Sequence, residues 1–151
     1  MSGRSRVTQI KKIPPLIESA ARLHGHLGPF LVLGVRIGEA AKLKLHIDDS
    51  SSHRLQANVK TPLSTPFSCV IDGIQASTTC TVGNQRLKIK KSAKEIAASF
   101  TLQGTNKTIK ISVNPEVVKD LVKEMSKGAN PEQLAIKIAN MQAELLLVLK
   151  R

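Results

Sequence analysis

Residues 24–44 read HGHLGPFLVLGVRIGEAAKLK, and this stretch decides the fold. Leu33, Ile37, Ala40 and Ala41 recur at helical spacing, which predicts a helix from about Phe30 to Leu43. Gly34 and Gly38 fall on one strip of that helix. Glycine inside a helix costs about 1 kcal/mol relative to alanine, so two in register imply a close neighbour, either another helix or a ligand. Upstream, Pro14 and Pro15 open a shorter helix through about Leu23, with Leu16, Ile17 and Ala20 as its inner face and Gly25 as its stop.

Downstream, Leu55, Ala57 and Val59 alternate with polar residues, which predicts a strand over 54–60 ended by Pro62. Thr65 and Pro66 read as the N-cap and first position of a short helix through about Gln75. Strands are expected at 86–90, 95–102 and 107–113, with Gly104 and Asn106 supplying the last turn. Asn114-Pro115-Glu116 and Asn130-Pro131-Glu132 each place cap, proline and acid at a helix start, and Gly128 stops the first of these helices. Leu134, Ile138, Met141, Leu145 and Val148 carry the second to the end of the chain. Leu145–Leu149 is apolar on nearly every side, so this tail is expected to be buried, with a second copy of the chain as one candidate cover.

The expected fold class is α+β: a mixed, mainly antiparallel sheet, in element order α-α-β-α-β-β-β, followed by two C-terminal helices. A length of 151 residues, 41% of them apolar, suits one domain with one core. No repeat or linker divides it, so residues 13–151 are read as a single domain and residues 1–12 as a basic flexible arm.

The formal charge is +12, from 23 Lys and Arg against 11 Asp and Glu. Arg4, Arg6, Lys11 and Lys12 lie in the arm, and residues 82–110 carry seven bases against Glu95. Such a balance suits a nucleic-acid binder, but Arg86, Lys88 and Lys90 alternate as on the solvated face of a strand. The only aromatics are Phe30, Phe67 and Phe100, and none is interleaved to stack a base, so the solvated face is favoured over nucleic acid. No apolar run follows the basic N-terminus as in a secretory signal, and none approaches the roughly 20 residues of a membrane span. With only Cys69 and Cys80, a reducing, cytoplasmic location with free or ligating thiols is expected.

Three constellations carry possible chemistry. His24-Gly25-His26-Leu27-Gly28-Pro29 holds two imidazoles about 200° apart on a continuous helix, but on one side if the chain is extended, as Gly25 permits. Ser68-Cys69-Val70-Ile71-Asp72 places Cys69 in the first turn of a helix, where the dipole favours thiolate, with Asp72 on the same face as a ligand hydrogen-bonder or proton acceptor. Thr79-Cys80-Thr81 sets a second sulfur among hydroxyls. Zinc takes four Cys, His or carboxylate ligands, and His24, His26, Cys69 and Cys80 make one such set. There is no C-x-x-C pair, so spacing does not separate a metal site from surface histidines and buried thiols.

The segments HGHLGPFLVLG at 24–34 and CVIDGIQASTTCTVGN at 69–84 resemble the FmdE family of formylmethanofuran dehydrogenase proteins, with similarity over about residues 14–113. The resemblance implies an α+β core, a metal, usually zinc, near the His-Gly-His segment and the motif cysteines, and a homodimer. His24 and His26 match the histidine motif, Cys69, Asp72 and Gln75 the helix motif, and Cys80 the second cysteine element. Gly28 departs from the pattern, since many members carry cysteine there, and Thr79 replaces a glycine. The family name points to archaeal one-carbon metabolism and methanogenesis, in association with a larger molybdenum or tungsten dehydrogenase. Two cysteines are too few for an iron–sulfur cluster, and no molybdopterin site is visible, so an accessory or metal-binding role is expected rather than redox turnover.

The leading expectation is therefore a zinc-binding FmdE-like protein, with Asp72 as proton-handling group if it is catalytic. One rival is a metal-independent thiol enzyme using Cys69 with His24 or His26 as base. The other is a basic nucleic-acid module using the arm at 4–12 and the face at 86–94.

Overall fold

Pro15, Pro29, Pro115 and Pro131 each stand at the start of a helix, where a missing N–H leaves no hydrogen bond unmade. The fold is that of a computed structural model describing residues 13–151; the expected arm at 1–12 lies outside the described residues. The elements run α1 (Pro15–His24), α2 (Pro29–Lys44), a 3-10 turn (Ser52–Arg54), β1 (Leu55–Thr61), α3 (Cys69–Thr78), β2 (Leu87–Lys91), β3 (Ala97–Leu102) and β4 (Thr108–Val113). They continue as α4 (Pro115–Ser126), α5 (Pro131–Asn140), a single turn α6 (Ala143–Leu146) and β5 (Leu147–Lys150). Asn114 accepts from the Glu116 amide at 3.0 Å, and Asn130 from those of Glu132 and Gln133 at 2.9 and 3.1 Å, so both asparagines cap their helices.

The sheet has the order β2-β1-β3-β4-β5. β1 and β2 are parallel and joined through α3, while the other pairs are antiparallel, so the sheet is mixed and mainly antiparallel. Leu55, Ala57, Val59, Phe100, Ile109 and Ile111 are buried on its inner face. The opposite face carries Asn58, Lys60, Lys88, Lys90, Ser99 and Lys110.

α2 is the central helix, buried almost continuously from Pro29 to Gly38. The neighbour that its glycine strip implied is a helix. A Cβ on Gly34 would overlap the Val70 carbonyl, one on Gly38 the Ser77 hydroxyl, and one on Gly73 the Leu31 carbonyl. Glycines on both sides thus let the backbones of α2 and α3 approach to where no side chain fits.

Three local expectations are corrected. Ser64–Ser68 forms turns, with Ser68 N–H donating to Ser64 O at 3.0 Å, and α3 begins at Cys69 rather than at Pro66. Arg86 does not share the solvated strand face: its guanidinium donates to the carbonyls of Ser52 at 2.7 Å, Leu55 at 3.2 Å and Thr79 at 2.8 Å. The last helix does not reach the end of the chain. Met141 is extended, and Arg36 closes α5 by donating to the carbonyls of Ile138, Ala139 and Met141 at 2.9, 3.2 and 2.8 Å. The apolar tail becomes β5 against the edge of β4, because a short apolar run suits a buried strand as well as a helix. Leu146 and Leu147 are buried, while Leu145 and Val148 are exposed. Among the described residues, no helix is long and apolar enough to cross a membrane.

Candidate functional site

Gly25 ends α1 in the left-handed region at φ 106°, and Gly28, extended at φ −147°, leads into α2. This break brings the rings of His24 and His26 to a centroid distance of 4.6 Å, as the glycine suggested. They are not equivalent, since His26 is exposed whereas the His24 side chain is 13% exposed.

Packing of α1 on α3 adds a partner that the spacing did not reveal. Asp72, in the first turn of α3, stands with its Oδ2 2.7 Å from His24 Nδ1. Its Oδ1 accepts from Gln75 Nε2 at 3.1 Å, and Gln75 Oε1 accepts from the Val82 amide at 3.2 Å. With Asp72 ionised and the imidazole neutral, Nδ1 is the donor and Nε2 turns its lone pair into the protein. That Nε2 is buried and has no hydrogen-bond partner. Gln75, present in the helix motif, belongs to this array as the residue that orients Asp72.

The two cysteines do not join one site. They bracket α3, with Cys69 as its first residue and Cys80 just past its C-cap, Thr79. The ten residues of α3 span about 15 Å, too far for one cation. The Cys80 thiol is fully buried and donates to the Leu55 carbonyl at 3.2 Å, beside Arg86. The four-ligand set of His24, His26, Cys69 and Cys80 is therefore not gathered, and among the described residues no group of three or more His, Cys, Asp or Glu side chains is placed to hold a metal ion. His24 keeps a buried nitrogen without a partner, whereas the Cys80 thiol is already engaged by a carbonyl. A Cβ on Gly28 would stand 3.7 Å from His26 Nε2, so a side chain there would face the histidines.

The expectation of a thiolate at Cys69 is also corrected. Burial pushes its thiol up, and the negative charge of Asp72 one turn on adds to this, outweighing a backbone N–H that favours the anion. Burial pushes the Cys80 thiol up as well, against smaller opposing contributions from Thr78 and Arg86.

Fold and site together define a small α+β protein in which the carboxylate of one helix holds a histidine that ends another. The chain belongs to the FmdE family, described as that of the molybdenum formylmethanofuran dehydrogenase operon, whose model matches residues 23–148. The match runs beyond the two motifs through α4, α5 and into β5. One relative, from Archaeoglobus fulgidus and named "Probable S-adenosyl-L-methionine-binding protein", is 30% identical over 108 residues. The aligned part is 72% of this chain and 29% of the relative, so the chain spans less than a third of that protein's length.

Proposed function

We propose that this FmdE-family protein binds a divalent metal of the zinc class where α1 meets α3, and serves formylmethanofuran dehydrogenase chemistry as an accessory protein. The observation that carries the metal reading is the buried, unpartnered Nε2 of His24. Leaving such a group unsatisfied costs about 1–3 kcal/mol, which a ligand for it would offset. The arrangement behind the ring supports the same reading. Metal-ligating histidines commonly donate their other N–H to a carboxylate, as His24 does to Asp72.

His26 supplies the neighbouring imidazole, and Cys69, at the Asp72 end of α3, is the better placed sulfur. The remaining coordination positions fall to water, substrate or another chain. A bound metal of this class would polarise a carbonyl or a water. The chain's own residues supply orientation: Gln75 fixes Asp72, Asp72 fixes the His24 ring, and burial keeps Nε2 from bulk water. With both carboxylate oxygens engaged, Asp72 is a positioning residue rather than the proton acceptor.

Metal analysis of the purified protein tests the reading. Stoichiometric zinc is expected in the native protein and in Cys80→Ser, and its loss in His24→Ala. A metal-free native protein purified from zinc-supplemented cells, or equal losses in the two variants, overturns it. The accessory role predicts that formylmethanofuran dehydrogenase assembled without this protein has lower specific activity; unchanged activity removes that role.

A further inference from the structure

The outer face of the sheet holds a shallow hollow of about 390 Å³. Short side chains, Asn58, Ala97 and Ser99, line it together with Ile89, and so do Lys60, Lys88, Lys90 and Lys110. The four lysines come from three strands, so no single stretch of sequence displays them together. Lys60, Lys88 and Lys90 are exposed, and Lys110 is half-buried. None of the residues lining the hollow is acidic. The neighbouring acid is Glu95, whose carboxylate reaches Lys110 at 3.3 Å and Lys60 at 4.0 Å.

We infer that this hollow docks the sugar-phosphate backbone of duplex nucleic acid. Charge complementarity carries the inference: four ammonium groups surround one depression on a chain of net charge +12. Lys60 and Lys90 are register partners on adjacent strands, about 4.8 Å apart, and Lys88 and Lys90 are about 6.7 Å apart along one strand. Such a grid of flexible point charges suits phosphates and carries no base-reading geometry. Base stacking is not available, because Phe30 and Phe100 are buried, Phe67 lies outside the hollow, and the chain has no Trp or Tyr. That selects a duplex over a single strand. Ile89, 39% exposed, is the one large exposed apolar side chain lining the hollow, too little to insert into a lipid layer, which selects nucleic acid over a membrane.

Fluorescence anisotropy with a labelled duplex of two helical turns tests this. Four phosphate contacts predict a salt slope of about −3.6, or an affinity loss of about 150-fold between roughly 50 and 200 mM salt. The triple reversal Lys60→Glu, Lys88→Glu, Lys90→Glu should abolish binding. The same reversal at the exposed Lys119 and Lys123 of α4 and Lys127 at its C-cap, with equal net charge, should leave it within a few-fold. Glu95→Gln removes the acid beside the hollow and should tighten binding several-fold, a gain that misfolding cannot imitate. Equal loss in the two triple variants, or no tightening in Glu95→Gln, overturns the proposal. So does tighter binding to inorganic tripolyphosphate or to phosphatidylserine vesicles than to the duplex.

Discussion

His24 and Asp72 are 48 positions apart in the chain, and their facing side-chain atoms are 2.7 Å apart in space. The contact joins the last residue of one helix to the first turn of another, and it leaves the far nitrogen of the imidazole as the unpaired group of the site.

Asp72→Asn should keep the fold and weaken zinc binding about 10- to 100-fold, because an amide supports the ring less well than a carboxylate. Nitrogen-15 NMR of the His24 ring should show a shift in the balance of its tautomers. An unchanged ring spectrum and affinity would mean that Asp72 does not orient His24.

Gly28→Cys should strengthen zinc binding. The backbone there is extended, so the substitution meets no strain, and its side chain would face His26 Nε2. Isothermal titration of the native and Gly28→Cys proteins compares the two, and equal affinities would place the metal elsewhere.

Both thiols are held above their ordinary range, by burial in each case and at Cys69 also by Asp72. Alkylation at neutral pH should therefore be slow and rise with pH, with Cys69, 9% exposed, reacting before Cys80, 0% exposed. Because the folded state holds these protons more tightly than the unfolded chain, their stabilisation is present below about pH 8.5 and fades as pH rises through the raised values. Melting temperatures from neutral to alkaline pH should fall less steeply in Cys80→Ser. Rapid labelling of Cys69 at pH 7 would revive the thiol-enzyme reading.

Gly34→Ala should destabilise by about 1–3 kcal/mol or more, since its methyl group meets the Val70 carbonyl, which is backbone and cannot rotate away. Gly83→Ala, whose methyl group would meet only the Thr81 hydroxyl at an ordinary 3.9 Å, should stay within about 0.5 kcal/mol. Urea unfolding of both variants compares them, and equal effects would contradict the close α2–α3 packing.

Arg36→Met should cost about 1.5–3 kcal/mol by removing a charged donor from three carbonyls at the end of α5. Hydrogen exchange should show the loss first in residues 131–141. Uniform loss across the chain would mean that α5 is not closed locally by Arg36.

Much of this architecture could be read from local rules. Asn-Pro-Glu starts two helices because cap, ring and acid act within one turn, and the alternation of Leu55, Ala57 and Val59 places a strand because its period is two residues. Gly25 broke the first helix where expected, since few other residues accept its backbone. The motifs at 24–34 and 69–84 identified the family. Sequence alone thus determined the α+β class, most element boundaries and the family.

Tertiary structure decided what those residues touch. Side-chain partners follow from how helices stack, and stacking depends on contacts between segments far apart in the chain. So His24 found Asp72, Cys80 turned to a carbonyl at the opposite end of α3, and four lysines from three strands came together on one face. The tail at Leu145–Leu149 shows the same division: its apolarity called for cover, but the open edge of β4 made it a strand.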